Sequence, residues 1–273
     1  MKYKTLAKTF KRIDLTLKRF KFKRDNQTIL ALGDSWFNLT VLDYPFKDID
    51  TLDFLKRDFN VIDLAIPGNK LENEATWRMF KMIPKDFNKG QKRVILLSFG
   101  GNDIVHKFSK YVKNYSPEFS AEYHIGQSFI SVISEFKFSL EHYLKDVLNY
   151  FCGDNKIPCE ILIHGYDYFQ PQVKLFGKDS KIEKVFDDKN YPEDSGMRKE
   201  IISMIVSYFG RQVHSVVKDI NLQLQNSGYQ KIAKASFVDI KGLLNQDDWM
   251  EMIHPTPEGY KKIADEFKKQ ITF

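Results

Sequence analysis

Ile29-Leu30-Ala31-Leu32-Gly33-Asp34-Ser35-Trp36 is a four-residue apolar run that stops on a glycine and passes directly to an acid and a hydroxyl. A short apolar run without polar alternation is the pattern of a strand covered on both faces, as in a parallel sheet. Breaking such a strand on glycine delivers the following serine at its tip. The triplet proves little alone, because Gly, Asp and Ser are all turn formers. Its meaning depends on what the ends of the other strands offer.

Four further apolar runs read as strands: 61–65, 93–99, 159–163 and 235–240. Between them, residues 46–58, 70–83, 126–151 and 197–226 carry helical spacing, and 257–270 forms a final amphipathic helix. In the third of these helices Ile130, Ile133, Phe136, Leu140, Leu144, Val147 and Leu148 fall on one stripe. Strands alternating with helices predict an open, five-stranded parallel sheet with helices on both sides, an α/β fold. Residues 26–273 are expected to form one domain, with 104–125 and 165–196 as loops that shape a pocket.

The chain has 273 residues, 42% of them hydrophobic and 29% charged, which fits a globular protein able to bury a sizeable core. No apolar run reaches the length of a membrane span and the N-terminus has no signal-type apolar core, so a cytoplasmic location is expected. The net charge of +6 is concentrated: residues 1–25 hold ten Lys or Arg against two Asp, so that arm carries +8 and the remainder −2. In the arm, Leu6, Phe10, Ile13, Leu17 and Phe20 line one helical stripe between basic residues. The arm reads as a basic amphipathic helix docked on the domain, with peripheral attachment to an anionic membrane surface as the sharper alternative. Nucleic acid is not expected as a partner, since the body of the chain is slightly acidic. Cys152 and Cys159 match neither a redox nor a zinc spacing and read as reduced, partly buried thiols; no metal or cofactor is expected.

In an open parallel sheet, ligands bind beyond the carboxyl ends of the strands. There this sequence places Ser35, then Pro67-Gly68-Asn69, then Gly100-Gly101-Asn102-Asp103, and finally the loop leading to His254-Pro255. This set suits acyl transfer. A serine hydroxyl is a weak nucleophile until an imidazole takes its proton, which makes His254 the candidate base. The negative charge that develops on the attacked carbonyl needs donors already in place: the N–H of Ser35, the N–H of Gly68 and the carboxamide of Asn102. Trp36 and Asn69, together with His164 and Tyr166 of the aromatic exit from the fourth strand, are the candidate substrate-binding residues. An equal alternative has Tyr166 and Tyr168 packing the sheet. His106 follows a strand and borders the same rim, whereas His124, His142 and His214 fall on helices.

These blocks, in this order, resemble the SGNH hydrolases, the GDSL-type esterase and lipase superfamily. The resemblance rests on Gly33-Asp34-Ser35, Gly68, Gly100-Gly101-Asn102-Asp103 and His254-Pro255, and spans most of the chain. It implies a flavodoxin-like three-layer α/β/α sandwich and a metal-independent serine esterase acting through an acyl-enzyme on Ser35, with a small-molecule or lipid ester as substrate. Two departures stand out. Trp36 replaces the usual leucine after the serine, and the usual Asp-x-x-His reads Glu251-Met252-Ile253-His254. Glu251 is the nearest carboxylate for orienting His254. Asp248, Asp247 or a backbone carbonyl compete for the role. The same residues also suit an acyltransferase, or a binding module that has lost its acid.

Overall fold

The computed structural model describes residues 28–39, 50–84, 87, 91–152, 157–170, 181–193 and 196–272. The basic arm 1–25 lies outside the described residues, as do 46–49 and 171–180.

Strands β1 (Thr28–Gly33), β2 (Asn60–Asp63), β3 (Arg93–Ser98), β4 (Cys159–His164) and β5 (Ala233–Val238) pair in parallel in the order β2-β1-β3-β4-β5. Their residues explain the placement. Every position of β1, β3 and β4 is buried, as continuous apolar runs demand, while β5 at the edge alternates with exposed residues. The last strand starts two residues earlier than its apolar run suggested. It ends before Asp239, whose carboxylate accepts the Lys241 N–H at 3.1 Å and turns the chain.

Helices α1 (Thr51–Leu55), α2 (Glu74–Met79), α3 (Gly101–Val105), α4 (Phe108–Tyr111), α5 (Ala121–His124), α6 (Ser128–Cys152), α7 (Lys181–Asp188), α8 (Gly196–Asn226) and α9 (Pro257–Gln270) connect and flank the strands. Helices α6 and α8 pack on each other and against β4, whereas α9 packs on α1, giving a three-layer α/β/α sandwich. A short antiparallel pair, β6 (Trp249–Glu251) with β7 (His254–Pro255), precedes α9. The start of α9 has the local chemistry that helices favour: Thr256 accepts the Gly259 N–H, and Pro257 stands at the first position. In α6, Ile130 is 47% exposed, contrary to the predicted stripe. Phe129 takes the inward place instead, with its ring 5.0 Å from Tyr111 and 5.5 Å from Tyr208. Cys152 and Cys159 are free and buried. No described helix is long and apolar enough to cross a membrane.

The segments read as pocket loops hold short helices of their own. In this insertion α4 packs on α7, with the rings of Phe108 and Phe186 5.2 Å apart, and α5 packs on α8. Buried Arg198 ties this insertion to α8 by pairing with Glu183 and, at 2.8 Å, with Asp187.

Sheet order reverses between β1 and β3, since the chain leaves β1 for β2 on one side and returns to β3 on the other. Such a reversal opens a crevice at the carboxyl end of the sheet. The two strands close tightly there. Gly33 pairs with Ser98, and a Cβ on Gly33 would stand 2.7 Å from the Ser98 carbonyl oxygen.

Overpacking of this kind costs about 1–3 kcal/mol. Gly33→Ala is therefore expected to lower Tm by roughly 2–4 °C for each kcal/mol lost, read by circular dichroism; an unchanged melt would show that the strand ends separate freely. A second expectation concerns Asp50, which caps α1 by accepting the Asp53 N–H at 3.1 Å and also accepts the Leu39 N–H at 3.2 Å. Burial, helped by nearby Asp53 and Asp63, pushes its carboxyl from 3.8 up to about 7. The folded state then holds this proton more tightly than the unfolded chain, so its stabilising contribution is complete below about pH 4 and lost as pH rises through about 7. Asp50→Asn removes the titration. Its urea midpoint should change less than the parent's between about pH 5 and about pH 8; an equal change in both would exclude Asp50 as the cause.

Candidate active site

The site is built on the turn that ends β1. Asp34 is buried and its Oδ1 accepts two donors, the Trp36 N–H at 3.1 Å and the Ser98 hydroxyl at 2.8 Å. Its Oδ2 accepts the Tyr166 hydroxyl at 2.5 Å and lies 3.5 Å from Asn102 Nδ2, the outer limit of a hydrogen bond. Burial raises the Asp34 carboxyl, and these donors work against that rise. Burial and the Asp34 charge together push the Tyr166 phenol well above its ordinary range, so it stays a donor. The turn is thereby fixed with half-buried Ser35 facing the rim.

Across the rim, β6 and β7 form a hairpin whose two-residue turn is Met252-Ile253. Pairing of Glu251 with His254 in this hairpin sets the two side chains next to each other, and Glu251 Oε1 meets His254 Nδ1. His254 Nε2 is 2.8 Å from Ser35 Oγ. The hydroxyl, the imidazole and the carboxylate thus form one continuous chain of contacts. The rival acids point elsewhere. Asp248 accepts the Asn245 N–H at 2.7 Å and pairs with Lys262 at 2.5 Å, closing a capping box, and Asp247 is exposed.

The donors expected for a developing oxyanion stand on neighbouring strand ends. The Ile66 N–H reaches the Gly33 carbonyl at 2.9 Å, which brings the loop after β2 beside the end of β1. In that loop Gly68 has φ of +75°, a left-handed conformation that favours glycine, and a Cβ there would meet nothing within 4 Å. Gly68 is exposed. Asn102 lies in the first turn of α3, half-buried and beside Asp34. The next residue, Asp103, anchors the loop to this helix by accepting the Leu71 N–H at 3.2 Å. Burial, with Glu72 and Asp34 nearby, pushes the Asp103 carboxyl up to about 7.

Four residues expected along the substrate wall sit behind it. Trp36 is 3% exposed, Asn69 5%, His164 0% and Tyr166 3%. Asn69 spends its carboxamide oxygen on Thr76 Oγ at 2.8 Å and Asn73 Nδ2 at 3.2 Å, which ties the glycine loop to α2. His164 packs between Trp36 and Phe267, and burial lowers its imidazole to about 4, so it is neutral. Tyr166 supports Asp34, as described above. Apolar and aromatic bulk at these positions reads the same in sequence whether it faces ligand or core. Of the other histidines, His106 is exposed one turn beyond Asn102, and His124 is fully buried, contacting the Ser120 carbonyl and the Ser116 N–H. Two supports carried no sequence signal: Ser98, within an apolar strand, and the Ile253 carbonyl, which accepts the Trp36 indole N–H at 3.0 Å.

This arrangement sets an imidazole within reach of a serine hydroxyl. Similar solved structures include an acetyl xylan esterase, AlAXEase, with 12% identity, covering 90% of this chain and 100% of that one at a TM-score of 0.50. A member of the lipolytic protein G-D-S-L family from Veillonella parvula DSM 2008 has 13% identity, with 89% and 96% covered and a TM-score of 0.46. Phospholipase A1 from Streptomyces albidoflavus NA297 has 14% identity, with 90% and 100% covered and a TM-score of 0.47. No curated protein matches the chain. The profile of the GDSL-like Lipase/Acylhydrolase family matches residues 29–267, from the first strand into the last helix. The chain therefore belongs to the GDSL-like Lipase/Acylhydrolase family and is an ester-hydrolysing enzyme of the GDSL type.

Proposed function

We propose that the protein is a metal-independent serine esterase that works through an acyl-enzyme on Ser35. The observation that carries this reading is the 2.8 Å contact between Ser35 Oγ and His254 Nε2, with Glu251 on the opposite ring nitrogen. A base at that separation is within reach of the hydroxyl proton.

In the first half-reaction Ser35 Oγ attacks the ester carbonyl carbon while His254 Nε2 takes its proton. Glu251 holds the tautomer that leaves Nε2 free to accept, and stabilises the imidazolium that forms. The carbonyl oxygen gains negative charge, which the N–H groups of Ser35 and Gly68 and the carboxamide of Asn102 receive. His254 then passes its proton to the departing alcohol and the acyl group remains on Ser35. In the second half-reaction water attacks the acyl carbon with His254 as base, releasing the acid and restoring the serine hydroxyl.

A fluorophosphonate probe tests the first step directly, because it labels activated serines. The intact chain should be labelled and should hydrolyse p-nitrophenyl esters, and Ser35→Ala should lose both; an unlabelled intact chain would overturn Ser35 as the activated nucleophile. Glu251→Gln should keep the fold but lower kcat by about 10⁴-fold, the loss expected when the orienting carboxylate of such a triad becomes an amide. A value within twofold of the parent would mean that a backbone carbonyl, not Glu251, orients the imidazole.

A further inference from the structure

Glu251 and His254 sit on either side of a two-residue turn, and a hairpin this small has little stability of its own. Hydrogen bonds from outside hold its tip, two of them from described residues. The Gln170 N–H donates to the Met252 carbonyl at 3.0 Å, and the Trp36 indole N–H donates to the Ile253 carbonyl at 3.0 Å. The second bond has a particular position. Trp36 is covalently next to Ser35, and Ile253 is covalently next to His254, so this bond and the 2.8 Å Ser35–His254 contact close one small ring.

The donor in that ring is rigid. The Trp36 N–H is held by Asp34 at 3.1 Å, and its side chain is buried against Tyr166 edge-on at 4.9 Å, His164 stacked at 5.6 Å, Trp249 at 6.2 Å and Tyr260 at 6.4 Å. A buried indole usually finds a partner simply to avoid the cost of an orphaned N–H. In this cluster burial alone does not dictate a partner, because Trp249 Nε1, also buried, has none among the described residues. The leucine that the family resemblance puts at position 36 could fill space there but could not donate.

We propose that the Trp36 indole N–H is a positioning donor: by gripping the Ile253 carbonyl it sets the hairpin at the height where His254 Nε2 meets Ser35 Oγ. The inference rests on the serine esterase reading above and adds a residue to it that touches neither substrate nor reacting atoms. Misplacing a catalytic group by about 1 Å costs up to about 100-fold in rate. Loss of this one tie, with the Gln170 bond still in place, is expected to cost about tenfold.

The test uses the full chain and two variants. Trp36→Phe keeps an aromatic ring without a donor. Replacement of Trp36 by benzothienylalanine keeps the shape of indole with sulfur in place of N–H, and serves if the Phe variant does not fold. Either variant, with Tm close to the parent's, should show kcat on a p-nitrophenyl ester and the fluorophosphonate labelling rate at Ser35 both reduced about tenfold, with KM within about twofold. In a His254→Ala background the same change should leave the residual labelling rate unaltered, because there is then no imidazole to place. Labelling at the parental rate overturns the inference, as does an equal loss in the His254→Ala background, which would mark Trp36 as general packing. Failure of the unaltered chain to label overturns the serine esterase reading and this inference with it, whereas labelling without dependence on the indole N–H overturns this inference alone.

Discussion

A carboxylate removed from water is costly unless donors replace the solvent, and Asp34 meets that demand with groups from three strand ends. Its own turn supplies the Trp36 amide, β3 supplies the Ser98 hydroxyl and the exit of β4 supplies the Tyr166 hydroxyl. The ends of β1, β3 and β4 are therefore held to one another by a single side chain, at the point where sheet order reverses. With Asn102 at 3.5 Å from the same carboxylate, the turn that bears Ser35 and the helix that bears the carboxamide share one reference point. Apolar packing alone would tolerate small slides here; an acid with directed donors does not.

The residues behind the rim form a support that is aromatic on one side and amide on the other. Trp36, His164, Tyr166, Trp249 and Tyr260 surround the turn and the hairpin, and Asn69 secures the glycine loop to α2. The insertion that carries α4, α5 and α7 is anchored separately, through buried Arg198. The support behind the rim and the insertion are thus fixed by different contacts, which suits a fold whose specificity is carried by its loops.

Much of this was legible in the chain itself, for identifiable reasons. Val-, Ile- and Leu-rich runs of only four to seven residues, some closed by glycine, favour covered strands over helices, and the long amphipathic α6 and α8 announce themselves by period. The residues proposed for the chemistry drew attention in the sequence because they follow the predicted strands in a fixed order. What stayed hidden depends on distance along the chain. Helices α3, α4 and α5 are four or five residues long, too short for periodicity to register, and exist through tertiary contacts. Tyr166 and His164 read as cleft residues because aromatic content does not say which way a ring points. The choice of Glu251 over Asp248 turned on which carboxylate had a prior partner, and Lys262, fourteen residues from Asp248, is not visible as that partner until α9 is folded.

The hairpin also bears on the order in which the protein assembles. Glu251 and His254 are three residues apart and can meet as soon as their turn forms, whereas Ser35 and His254 are separated by 219 positions. Contacts of such different sequence separation form at different times, since closing the longer loop must wait for the intervening chain to be ordered. The Glu251–His254 contact is local, whereas the Ser35–His254 contact requires the sheet and the hairpin to be in place together. During synthesis Ser35 emerges before Glu251 and His254, so the nascent chain carries an unassisted hydroxyl until the hairpin has formed and docked.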